Sequence, residues 1–347
     1  MKALFLAGGF GTRLKPITDN LPKPMVPIMG KPLLQHNIEN LKKHGINEII
    51  LSTCYKPHLI RSYFGDGHQF GVKISYISED TPLGTAGAIK NAETFFDDTF
   101  LVFNADIISD IDITDLIRTH QIKGALATIA VTRVDNPSAY GMIEHDEMGY
   151  ITAFKEKPQP HEGTSNLINA GVYVFEPELL TEIPAGRAVS IERETYPLLL
   201  QKNYKLAIYD HCSYWLDLGT PERYLQVQKD ILNGIISLGT YDFSLSPQKI
   251  SPTAKIDPSA TILGPVYIGP HVQIGPGAVV GPHTVVGEHS TVERDATINA
   301  SVVWDRVVVG SRASVVNAVV MSNCRVNTNS KASNLILCPY SSHPLAV

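Results

Sequence analysis

Cysteine is scarce in this chain. Cys54, Cys212, Cys324 and Cys338 are the four in 347 residues. They lie far apart and form no Cys-x-x-Cys pair, which excludes a disulfide framework and a zinc ribbon. Reduced thiols in a cytoplasmic protein are the expectation. Long apolar runs are also missing. No stretch approaches the ~20 residues of a membrane-spanning helix, and Ile231 to Leu238 is interrupted by Asn233 and Gly234. The apolar run Ala3 to Ala7 is too short for a signal-peptide core. A basic surplus is absent: 29 Lys and Arg face 34 Asp and Glu, a net charge of −5. Neither a nucleic-acid surface nor a membrane partner is expected. Several catalytic signatures are missing too, among them HExxH, metal-spaced histidine pairs, the GxSxG elbow and a nucleophilic-cysteine motif.

What is present begins at the first strand. An apolar run, Ala3 to Leu6, enters the turn Ala7-Gly8-Gly9-Phe10-Gly11-Thr12-Arg13-Leu14, and Leu21-Pro22-Lys23-Pro24 follows. Glycines let backbone N–H groups approach phosphate oxygens closely. Arg13 offers a planar fork and Lys23 a compact charge held between two prolines. The pattern is not a Walker A loop, and Leu14 stands where a dinucleotide fingerprint needs its third glycine. A pocket for a nucleoside triphosphate at a strand end is the reading; a plain glycine turn is the alternative.

The first 230 or so residues alternate strand and helix patterns. Glu48 to Ser52, Lys73 to Ile77 and Phe100 to Asn104 look like buried strands. Leu34 to His44 and Thr85 to Phe96 carry helical spacing, with Gly45 ending the former. This is the grammar of an α/β unit: a mostly parallel, Rossmann-like sheet with helices on both faces, its ligands bound beyond the carboxyl ends of the strands.

From Ile250 the grammar changes. Ile250, Ile256, Ile262, Ile268, Ile274, Val280, Val286, Val292 and Ile298 fall on a strict six-residue spacing. That period fits a three-sided parallel β-helix with one branched aliphatic residue inward per side. Gly-Pro pairs such as Gly264-Pro265 and Gly281-Pro282 mark corners. The phase slips near Trp304 and resumes around Val309, and about four coils are expected. The division is therefore 1–234, a linker at 235–248, and the β-helix at 249–347. Stacked flat coils suit self-association, so a homo-oligomer through this region is expected.

Asp106 closes an apolar strand, and Asp217 lies between Trp215-Leu216 and Leu218-Gly219. Two such carboxylates beside a phosphate turn suit Mg²⁺, which takes hard oxygen ligands shared with substrate phosphates. Ordinary helix caps are the alternative, since Gly219-Thr220-Pro221-Glu222 reads as a helix start. Gly141 and Asn169 sit at strand ends where backbone and amide groups can meet hydroxyls. Glu156-Lys157-Pro158 sets a carboxylate beside an amine.

Taken together, these motifs resemble the sugar-1-phosphate nucleotidyltransferase family from Met1 to about Asn233, and the left-handed β-helix tail is similar to that of its longer members. Within it the chain looks most like the short-type GDP-mannose pyrophosphorylases (mannose-1-phosphate guanylyltransferases), to which Pro82–Gly87 and Ser190–Glu194 are similar. The resemblance implies transfer of a nucleotidyl group from GTP to mannose 1-phosphate with Mg²⁺ held by Asp106 and Asp217. It implies a nucleotide site of Leu6, Ala7, Gly8, Gly9, Gly11, Thr12, Arg13, Lys23, Pro82, Gly84 and Thr85. Lys157 would hold the sugar phosphate, and Gly141, Glu156 and Asn169 the sugar ring. Glu79 is expected to read the base, because a carboxylate complements the two adjacent donors on guanine's pairing edge. Rival expectations are a glucose-1-phosphate enzyme using dTTP, UTP or ATP, an acetyl-transferring β-helix served by His271, His283 or His289, and a non-catalytic nucleotide-sugar sensor.

Overall fold

A computed structural model describes residues 1–156, 165–239 and 241–345. The chain forms two compact units, each drawn from discontinuous segments. The first contains Met1–Phe10, Pro22–Pro24 and Asn37–Asp217; the second contains Gly11–Leu21, Met25–His36 and Leu218–Val347.

The first unit is built on a nine-stranded sheet. Strand Lys2–Leu6 is central and pairs in parallel with Glu48–Thr53 on one side and Phe100–Asn104 on the other. Lys73–Ser78 continues the parallel half. Ala3, Leu4 and Phe5 are all buried, as expected of a strand covered on both faces. The other half is organised by the long strand Leu167–Phe175, which runs antiparallel to Phe100–Asn104 and to Ala127–Arg133. Strand Leu206–Tyr209 then adds to Ala127–Arg133 in parallel. The fold class is α/β and Rossmann-like.

Register decides where chemistry can occur. Leu6 pairs with both Ser52 and Asn104, and Thr53 pairs with Ser78. The four parallel strands therefore stop on one rim, and Ala7, Cys54, Glu79 and Ala105 are the first residues beyond it. The expected helix after Lys73–Ser78 is cut short: it spans Gly84–Asn91, and a 3-10 turn Glu93–Phe95 follows. The first helix runs Leu33–Lys43, ended by Gly45 as its spacing predicts.

In the second unit the six-residue period becomes a left-handed parallel β-helix. Its three faces are stacks of parallel strands, two of them five-stranded and the third closed by an antiparallel pair, Leu335–Cys338 with Ser341–Pro344. It has five coils where the spacing suggested about four. Early coils place equivalent residues 18 apart, as in the Gly277–Ser259 bond, and later coils place them 17 apart, as in Val307–Ser290. The missing residue lies at one corner, where Asn299-Ala300-Ser301 replaces the longer Gly281-Pro282-His283-Thr284. Val285 consequently pairs with Val302. The interior is unaffected: Val286, Val303 and Val320 are all buried. A count of strict hexads loses the phase there although stacking continues. No described coil carries a long insertion.

Helix Pro221–Leu232 starts as its sequence predicts, with the Thr220 side chain accepting the Arg223 N–H. It groups with the β-helix rather than with the first unit, although the division of the sequence places it before residue 234. Side-chain bonding explains this. Tyr224 Oη accepts the Trp304 indole N–H at 2.9 Å and donates to the Pro27 carbonyl at 2.8 Å. The Gln228 amide bonds Pro27 O and Met29 N. Tyr224 is fully buried, so each bond satisfies a group that water cannot reach.

Candidate active site

The rim of the parallel strands opens into a cavity of about 320 Å³. Leu6, Ala7, Gly8, Gly9, Lys23, Glu79, Pro82, Gly84, Thr85 and Asp106 line it, so ten of the residues expected from sequence share one space. Gly8 fits closely: a Cβ there would lie 3.2 Å from Glu79 Oε1 and 3.3 Å from Cys54 Cβ. Gly9 has nothing within 4 Å of that position, which leaves its backbone open to a ligand. Gly11, Thr12 and Arg13 belong to the second compact unit, where Thr12–Leu14 forms a 3-10 turn with Arg13 exposed.

Lys23 is 7% exposed, and its ammonium forms an ion pair with Asp106. A buried cation needs such a partner. Asp217 comes from far along the chain, yet strand Trp215–Asp217 pairs with Ile107–Ser109 so that Asp217 faces Ile107, the residue after Asp106. The Tyr140 hydroxyl donates to Asp217 Oδ1 at 3.2 Å, and the Trp215 indole donates to Ala170 O at 2.8 Å. Asp106 and Asp217 each offer hard oxygen ligands, and Lys23 already marks Asp106 as a place for positive charge. These residues fit a divalent cation of the Mg²⁺ type.

Glu79 is buried and engaged at both oxygens. Oε1 accepts the Ser52 hydroxyl at 2.8 Å and Oε2 the Leu83 N–H at 3.0 Å. A carboxylate has about four acceptor directions, so each oxygen keeps one more. The Ser52 bond also fixes which way the group faces.

Three residues expected to hold the sugar come together through strand register. Gly141 pairs with Glu156, and Met142 pairs with Ile168, the neighbour of Asn169. Asn169 is partly committed locally: Oδ1 accepts the Gly171 N–H, and Nδ2 donates to the Tyr173 hydroxyl at 2.8 Å. Gly171 is required here. Its φ is +74°, and a Cβ would stand 2.7 Å from Asn104 Nδ2. Lys157 lies outside the described residues.

Several participants escape sequence reading. Thr85 Oγ1 donates to Glu192 Oε2 at 3.0 Å and accepts the Ile191 N–H. Val189 O receives the N–H groups of Ala86 and Gly87. The N-terminal end of helix Gly84–Asn91 is thus clamped by a segment about a hundred residues later. The Ser190–Glu194 stretch was legible only as a resemblance. Tyr173 is fully buried, and its hydroxyl is pushed up by that burial and then by the Glu192 charge. Burial likewise raises the Cys54 thiol, aided by Glu79 and Asp80, so it stays protonated near neutrality.

Known families match both parts of the chain. Residues 2–234 match the family described as Nucleotidyl transferase, and residues 262–339 match the GMPPB C-terminal domain. The mannose-1-phosphate guanylyltransferase of Mycobacterium tuberculosis is 42% identical over 67% of this chain and 65% of its own length, so the match spans somewhat under two thirds of that relative. A mannose-1-phosphate guanylyltransferase catalytic subunit beta from Dictyostelium discoideum is 40% identical over 74% of this chain and 73% of its own. A UTP–glucose-1-phosphate uridylyltransferase of Synechocystis is 37% identical over 67% and 64%. Among solved structures, HddC from Yersinia pseudotuberculosis complexed with GMP-PN superposes with a TM-score of 0.56 at 32% identity, covering 65% of this chain and 96% of that one. With a family match over residues 2–234, the chain belongs to the nucleotidyl transferase family and carries a GMPPB-type C-terminal domain.

Proposed function

We propose that the protein transfers a guanylyl group from GTP to mannose 1-phosphate, giving GDP-mannose and pyrophosphate. The observation that carries this reading is the single cavity that joins Gly8, Gly9, Lys23, Glu79 and Asp106 at the ends of the parallel strands. The guanylyltransferase relatives support the same substrates.

In this reading an oxygen of the sugar phosphate attacks the α-phosphorus, a new P–O bond forms, and the bond to pyrophosphate breaks. The nucleophile is already anionic, so no residue needs to remove a proton. The obstacle is repulsion between two anions, about 4 kcal/mol per charge pair at 4 Å and an effective dielectric of 20. The Gly8–Gly9 backbone approaches the phosphates, and Lys23 neutralises charge at the α-phosphate. Arg13 is assigned the outer phosphates on its sequence position alone, and Lys157 the sugar phosphate. Gly141, Glu156 and Asn169 hold the ring, and Glu79 accepts from guanine N1–H and the 2-amino group with its two remaining acceptor directions. Asp106 and Asp217 would hold Mg²⁺, which when bound screens phosphate charge. Preorganised cations and in-line alignment supply the acceleration.

Glucose 1-phosphate with UTP is the second reading, favoured by the Synechocystis relative. One experiment separates the two. Pyrophosphate release is followed with GTP, UTP, dTTP and ATP against mannose and glucose 1-phosphates, with Mg²⁺ and with chelator. The highest kcat/KM is expected for GTP with mannose 1-phosphate, lost on chelation. Preference for UTP and glucose 1-phosphate would replace the reading, and no turnover with any pair would favour a sensor. No helix among the described residues is long and apolar enough to cross a membrane. Self-association through the β-helix belongs to the same proposal and is tested by sedimentation.

A further inference from the structure

A second cluster of metal-ligating groups lies in the β-helix. His271 and His289 occupy the same corner of successive coils, with φ of +55° and +58°. Their rings stack with centroids 4.8 Å apart and planes 15° from parallel. Glu288 places a carboxylate oxygen 3.1 Å from His289 Nε2. One ligand atom from each of the three lies within 4.8 Å of the others, and all three residues are exposed.

The scaffold beneath is fixed. Glu288 N–H donates to Asp305 Oδ1, and Glu288 O accepts the Arg306 N–H. His289 N–H bonds Pro270 O in the coil before. Arg306, at the next corner of the column, gives its Nε–H to Asn323 Oδ1. Only side-chain torsions remain to be set. Zinc bound tetrahedrally to imidazole at about 2.0–2.1 Å needs its nitrogens roughly 3.4 Å apart. Exposed rings starting within 4.8 Å close that gap by tilting, with no backbone shift.

We propose that His271, Glu288 and His289 form a zinc site of two imidazoles and one carboxylate, with the fourth position open. Two imidazoles select zinc over magnesium, which prefers an all-oxygen shell. Binding replaces the direct contact between His289 Nε2 and the Glu288 carboxylate with bonds from both to the metal. None of these residues belongs to the rim cavity, so the site stands or falls independently of the nucleotidyl-transfer reading.

The test uses full-length, tag-free protein, stripped with chelator and dialysed against Zn²⁺ with Mg²⁺ in excess. The comparison variant is His271→Asn/His289→Asn, because asparagine already holds this corner at Asn323, φ +64°. Wild type is expected to retain one more zinc ion per chain than the double variant, and to shift its His271 and His289 ring resonances on binding. Glu288→Gln, an exposed change, is expected to weaken the extra ion at least tenfold. Equal zinc content in wild type and double variant, or zinc that leaves both ring resonances unmoved, would overturn the proposal.

Discussion

Replacing Lys23 with alanine separates two roles of one ammonium group. In the free protein it compensates Asp106; in the proposed reaction it also compensates the α-phosphate. The Lys23 side chain is 9% exposed and that of Asp106 34%. Breaking a fully buried pair costs about 3–5 kcal/mol, but a carboxylate that is one-third exposed recovers much of this from water. The expected loss of stability is therefore about 1–2 kcal/mol, read as a lower urea midpoint. The kinetic loss is larger. One unit-charge contact at about 4 Å and an effective dielectric of 20 is worth ~4 kcal/mol, and each ~1.4 kcal/mol is tenfold in rate. Turnover should fall about a thousandfold under saturating GTP and sugar phosphate. Adding Asp106→Asn to Lys23→Ala should restore stability, because no buried charge is then left alone, while the rate stays low. A folded Lys23→Ala protein turning over near the wild-type rate would refute the placement of Lys23 at the reacting phosphorus.

Other substitutions probe other parts of the argument. Glu79→Gln keeps one acceptor and introduces a donor, so preference for GTP over UTP should shrink at least tenfold; an unchanged ratio of kcat/KM values removes Glu79 from base reading. Gly84→Ala sets a Cβ 2.7 Å from the Val189 carbonyl at φ +70°, which backbone cannot yield to, and should cost about 2–4 kcal/mol by urea unfolding. Trp304→Phe deletes the donor to Tyr224 and should cost about 2 kcal/mol in the same measurement; a change within error would mean that this bond does not hold helix Pro221–Leu232 to the β-helix.

Sequence revealed what is periodic or local. The hexad spacing showed the β-helix because every sixth side chain points inward, and short apolar runs alternating with helical spacing showed the parallel strands. It miscounted the coils where a corner lost one residue, since a strict period cannot follow a phase change that hydrogen bonding absorbs. In the site, Gly8, Gly9, Lys23 and Asp106 were legible from chemical type and spacing. The Ser52–Glu79 bond, the Tyr140–Asp217 bond and the clamp of Val189 and Glu192 on helix Gly84–Asn91 were not. Each joins residues whose pairing depends on three-dimensional register, and a lone Ser, Tyr or Glu carries no local mark of it. Asn169 shows the converse: its type suggested a ligand group, yet its amide oxygen is engaged by the Gly171 N–H and its amide nitrogen by the Tyr173 hydroxyl.

Gly8, Gly9, Glu79 and Asp106 lie in connecting segments just past the last rung of separate strands, while the rungs beneath are held by main-chain bonds that do not depend on side-chain identity. Selectivity and framework are consequently separable in this architecture. Under the proposed function, exchanging the segment from Asp80 to Leu83 should favour another nucleobase without disturbing a ladder, provided Ser52 still anchors Glu79 and glycine stays at 84. A graft there should retune recognition while leaving thermal resistance almost untouched, whereas a one-residue slip in the central strand would displace the whole cluster at once.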